Sequence, residues 1–80
     1  MRATVLVRPK QGILDPQGEA VEGSLRRLGF EVSEVRVGRV IDVELEADEP
    51  VIARTQVERM CSELLANPLI ESVEIRLEEE

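Results

Sequence analysis

Two glycines bracket an aspartate and a proline in Gly12-Ile13-Leu14-Asp15-Pro16-Gln17-Gly18, an arrangement that could cradle a phosphate, line an effector pocket or begin a helix. A phosphate loop requires a lysine and a hydroxyl directly after its glycines. Here Lys10 precedes both glycines and no Gly-Lys-Ser/Thr follows, so the helix start is the favoured reading. Asp15 is placed to accept from free amide hydrogens at the helix end, and Pro16 occupies the first helical position, where no donor is needed. Gly18 lacks a side chain and would let another backbone come close, across a contact with a second subunit. Arg36 and Arg39 flank Gly38 and could grip an anionic partner; at a hairpin end, arginines otherwise face solvent.

Catalysis by the chain itself is disfavoured. Its 80 residues include no histidine, which removes the commonest general acid or base near neutral pH. Cys61 lies on an apolar stripe between Met60 and Leu64, where a thiol without a basic neighbour is packing material rather than a nucleophile. The carboxylates are numerous but dispersed: Glu44 and Glu46 share a strand face, and Glu78 to Glu80 form an acidic, solvated run at the end of the chain. No Cys/His cluster has zinc spacing and no Asp/Glu series has calcium-loop spacing, so no catalytic residue and no metal ligand is assigned.

The length fits one domain, residues 1–80, and a chain this short buries only roughly 60 to 65% of its unfolded surface. With a single cysteine, no internal disulfide can staple so thin a core, and self-association is the expected remedy. The net charge of −7 and the lone aromatic residue, Phe30, argue against nucleic acid, which calls for a basic face and stacking rings. The same charge opposes an anionic membrane surface. Apolar runs are only a few residues long, so neither a signal peptide nor a spanning helix is expected, and a reducing cytoplasm is the expected compartment.

The positioning elements follow from the periodicity. Arg2 to Arg8 alternates, with Ala3, Val5 and Val7 on one face, and stops at Pro9, which predicts a first strand. The helix opened by Asp15 and Pro16 runs to Leu28, with Ala20, Val21, Leu25 and Leu28 on its apolar side and Gly29 as a left-handed cap. Phe30 and Val32 begin a second strand whose phase changes by Val35 and Val37, which predicts a β-bulge near Ser33 and Glu34. Arg36 to Val40 reads as a hairpin turn into a third strand with Ile41, Val43, Leu45 and Ala47 on one face. Asp48-Glu49-Pro50 starts a second helix carrying Ala53, Val57, Met60, Cys61 and Leu64, and Asn67-Pro68 stops it. A final strand follows, with Val73, Ile75 and Leu77 in phase. The order is βαββαβ, so the expected fold is α+β and ferredoxin-like: a split β-α-β with a four-stranded antiparallel sheet and two helices on one face.

Three segments carry a family resemblance: Leu14-Asp15-Pro16-Gln17-Gly18, Val35-Arg36-Val37-Gly38-Arg39, and Cys61-Ser62-Glu63-Leu64-Leu65-Ala66-Asn67-Pro68-Leu69-Ile70-Glu71. Together with Arg8 to Gly12 and Leu28-Gly29 they closely resemble the PurS family, the small subunit of phosphoribosylformylglycinamidine synthase, over the whole chain. The resemblance implies a non-catalytic subunit of a purine-biosynthetic complex, bridging a PurQ-type glutaminase and a PurL-type synthetase and helping ammonia pass between them. It implies a homodimer or a tetramer. It further implies that the ATP, Mg and glutamine used by the complex are not bound by this chain.

Two other readings share the topology. An ACT-like regulatory domain would bind an amino acid at a dimer interface, but it leaves the LDPQG and LLANP segments unexplained. An acylphosphatase would use an arginine and an asparagine. Arg8 and Asn67 are present, yet Asn67 stands before Pro68, where ending a helix is its simpler role.

Overall fold

The computed structural model describes residues 1–78. Strand β1 (Arg2–Pro9) leads to helix α1 (Pro16–Arg27), strand β2 (Arg39–Glu44), helix α2 (Pro50–Met60), a single π-helical turn (Cys61–Leu65) and strand β3 (Glu71–Glu78). The strands form an antiparallel sheet in the order β2-β1-β3. Val5 stands opposite Ile41 on one side and Ile75 on the other. Glu78 of the expected acidic tail is the last residue of β3; Glu79 and Glu80 lie outside the described residues.

Alternation on β1 buries Ala3, Val5 and Val7 in one cluster with Val57 of α2 and Cys61 of the π-turn, and Ala53 of α2 is buried as well. Period two on the strand and period four on the helix thus meet in one small core. Half-buried Ile41, Leu45, Leu65, Ala66, Ile75 and Leu77 pack around it. The sheet's other face is wet and charged, with Arg2 paired to Glu44 at 2.9 Å, Thr4 Oγ1 donating to Asp42 at 2.9 Å and Arg76 paired to Glu74 at 2.7 Å.

The expected fourth strand is absent among the described residues. Residues 30–37 pair with no strand; α1 and its capping residue hold backbone groups of this segment instead. Phe30 N donates to the Leu25 carbonyl at 3.0 Å, the Arg26 guanidinium donates to the Val32 carbonyl at 3.1 Å, and Val37 N donates to Asp15 Oδ2 at 2.8 Å. The segment is an arm folded along its own helix, so the predicted bulge near Ser33 and Glu34 has no ladder to interrupt. For the same reason Arg36 to Val40 is not a hairpin turn: β2 begins at Arg39 and pairs directly with β1.

Nor do both helices cover the sheet. α2 does, whereas α1 contributes only Gly18 to the buried set, and Val21, Leu28 and Phe30 are exposed at 41%, 73% and 58%. Of the expected stripe on α1, Ala20, Val21 and Leu28 are exposed and Leu25 is half-buried. The second helix also ends earlier than expected, at Met60, and passes through the wider π-turn before Asn67 and Pro68.

Candidate functional site

The LDPQG, VRVGR and LLANPLIE segments lie far apart in sequence, and the fold gathers them at one end of the sheet. They surround a cavity of about 240 Å³ lined by Leu14, Gln17, Val37, Arg39, Ile70 and Glu71 among others. Two carboxylates lock the gathering in place.

Asp15 is the first. Its Oδ1 accepts from Gly18 N at 3.0 Å, the helix-capping bond, while Oδ2 accepts from Val37 N. The Val37 amide and then the Gly18 amide hold the carboxyl below its ordinary value of 3.8, since both bonds favour the ionised form. Pro16 follows at the first helical position. Gly18 is buried where a Cβ would collide with the Val35 carbonyl oxygen, so within this chain the close approach it permits is that of the arm.

Glu71 is the second lock, and sequence reasoning did not single it out; its only signal was its place at the end of the third segment. Its Oε2 receives the Arg39 guanidinium at 2.6 Å, and its Oε1 accepts from Asn67 N at 2.8 Å. Arg39 first and the Asn67 amide second hold the Glu71 carboxyl below its ordinary 4.5. Arg39 also donates to the Leu65 carbonyl, so the start of β2 is tied to both the π-turn and the start of β3. Asn67 turns the chain: its Oδ1 accepts from Leu69 N at 3.1 Å and its carbonyl from Glu71 N at 2.8 Å. The Pro68 carbonyl accepts from Lys10 Nζ at 2.7 Å, which pins the loop after β1 to the same corner.

Of the remaining candidates Gly29 lies at the far end of α1, while Gly38, Arg36 and Arg39 sit around this corner. Gly29 adopts φ +98° just past α1, the left-handed region that glycine reaches without strain. At Gly38 a Cβ would collide with the Val7 carbonyl oxygen, so this glycine lets the arm press onto β1. Arg36 and Arg39 part company: Arg39 is consumed by Glu71 and Leu65. Arg36 reaches only Glu34, at 4.0 Å, and its Nη2 is buried without a hydrogen-bond partner among the described residues.

These groups bind and position; none is poised to react. Asp15 and Glu71 are held ionised near neutral pH, so neither is a proton donor there. Cys61 is 5% exposed, and burial, then the charge of Glu58, pushes its thiol above the ordinary 9.0, which keeps it protonated and weakly nucleophilic. Among the described residues no three His, Cys, Asp or Glu side chains converge as metal ligands, and no helix is long and apolar enough to cross a membrane.

Comparison with known proteins agrees with this architecture. The PurS family, described as phosphoribosylformylglycinamidine (FGAM) synthase, matches residues 2–79. The phosphoribosylformylglycinamidine synthase subunit PurS of Methanocaldococcus jannaschii is 40% identical over 78 residues, covering 96% of this chain and 94% of the relative. The crystal structure of M. jannaschii PurS superposes with a TM-score of 0.87 at 39% identity, covering 99% and 96% of the two chains. A chain in the structure of PurLQS from Thermotoga maritima superposes with a TM-score of 0.85 at 36% identity, covering 94% and 93%.

Proposed function

Because this chain belongs to the PurS family, the small subunits of phosphoribosylformylglycinamidine synthase in purine biosynthesis, we propose that it serves as the non-catalytic brace of that complex. In this reading it bridges a PurL-type synthetase and a PurQ-type glutaminase and supports the transfer of ammonia from glutamine to formylglycinamide ribonucleotide. The observation that carries the reading is its whole-chain likeness to a chain of the T. maritima PurLQS structure. Free ammonia is protonated and lost in water, so a rigid brace that keeps two centres apposed raises the fraction that arrives. In this reading the ATP, Mg and glutamine of the complex are bound by its other subunits. The expected compartment is the cytoplasm.

The working unit in this reading is a homodimer or tetramer. Exposed Val21 and Leu28 of α1, the outer edge of β2, unpaired among the described residues, and the arm at 30–37, which joins no strand, all support it. A second copy that closes on the sheet would supply the missing strand and complete a four-stranded, ferredoxin-like arrangement.

Reconstitution tests the function. Glutamine-dependent formation of formylglycinamidine ribonucleotide by the synthetase and glutaminase subunits should require this chain, while supplied ammonia should partly bypass the requirement. Equal turnover without the chain would refute the reading.

A further inference from the structure

The chain carries ten Lys and Arg residues against seventeen Asp and Glu, and nearly every cation is hydrogen-bonded within the molecule. Arg2, Arg59 and Arg76 bond to carboxylates, Arg39 to Glu71, and Lys10, Arg26 and Arg54 to carbonyl oxygens, while Arg27 bonds to Ser24. Arg8 and Arg36 are the two whose side chains make no hydrogen bond among the described residues. Both line one cavity of about 270 Å³ beside Gly38, whose walls are otherwise Leu6, Val7, Pro9, Arg39 and Val40, without a carboxylate. The neighbouring cavity, on which Arg36 also borders, is lined by Asp15, Glu19, Glu22 and Glu34, so the sign of the lining reverses across this one side chain.

We propose that the cavity between Arg8 and Arg36 is a docking socket for a single carboxylate side chain on the surface of the synthetase–glutaminase partner. The inference rests on the subunit role proposed above and gives it a contact point. Two guanidiniums offer the forked donors that match a carboxylate, and the apolar walls suit a side chain that arrives with its methylene stem. A carboxylate is favoured over a free phosphate because a molecule of charge −7 repels a dianion more strongly than a single negative charge presented by a docked surface. Arg8, rather than Arg39, is the partner of Arg36 in this role, since Arg39 already serves Glu71.

The test is binding of the chain to its reconstituted partner subunits at low and moderate salt. Arg8→Glu, at an exposed position, should weaken association at least tenfold and flatten its salt dependence, Arg8→Lys should retain most of the affinity, and Arg8→Glu with Arg36→Gln should be weakest. Oligomer size and thermal unfolding of Arg8→Glu alone should match the wild type. Association unchanged in Arg8→Glu and in the double variant would overturn the socket while leaving the subunit role intact. A change in oligomer size instead would make the occupant a second copy, and phosphate that stabilised the wild type but not Arg8→Glu would make it a free anion; either result overturns the proposal. Failure of the wild-type chain to join the partners at all would instead remove the subunit role, and the socket with it.

Discussion

A single carboxylate, Asp15, performs two structural tasks through its two oxygens, capping α1 and anchoring the arm at Val37. Both bonds favour its ionised form, as do the bonds from Arg39 and Asn67 to Glu71. A carboxyl held low stabilises the fold above its ordinary value, and that contribution disappears as pH falls through the lowered value. Denaturation midpoints taken from pH 6 down to pH 3 should therefore fall for the wild type and fall less steeply for Asp15→Asn; parallel slopes would contradict the assignment. Glycines offer a second residue-scale contrast. Gly38→Ala drives a methyl into the Val7 carbonyl and should cost about 2 kcal/mol or more. Gly23→Ala, in mid-helix with only the Arg27 guanidinium at 3.7 Å, should stabilise by about 0.5 to 1 kcal/mol. Urea unfolding of the two variants measures both signs.

Among the elements, those whose own packing follows the local period were legible in the sequence. β1 alternates and buries Ala3, Val5 and Val7; α2 repeats every fourth residue and buries Ala53 and Val57. Val57→Ala, which removes two methylene equivalents from that contact, should cost about 2 kcal/mol, a large part of the roughly 4 to 12 kcal/mol expected for 80 residues. Thermal or urea unfolding checks it, and a change below about 0.5 kcal/mol would place the core elsewhere. The fourth strand was misread because its apolar spacing is compatible with a sheet, while its hydrogen bonds are decided by Arg26 and by Asp15, 22 residues from Val37. Periodicity carries no record of such a long-range capture. The candidate corner was half legible on the same grounds: Asp15 as helix cap, Pro16 and Asn67 act on neighbours in sequence, whereas the Asp15–Val37 and Arg39–Glu71 bonds span 22 and 32 residues and the isolation of Arg8 and Arg36 emerges only once the other cations have found their partners.

As a whole the molecule measures 48 × 27 × 14 Å with a radius of gyration of 15.8 Å, against about 12 Å for a compact chain of this length. One sheet and one helix layer fill that thickness, and α1 adds no buried apolar side chain to them. If self-association supplies the remainder, the unfolding temperature should rise with protein concentration, and calorimetry over a hundredfold range would detect it; a constant value would show that the thin slab is self-sufficient. The 14 Å slab also sets how the chain fares alone. If the proposed assembly covers Leu28, Phe30 and the open edge of β2, a copy outside it offers those surfaces to any protease, and limited digestion should cut the free chain faster than the assembled one.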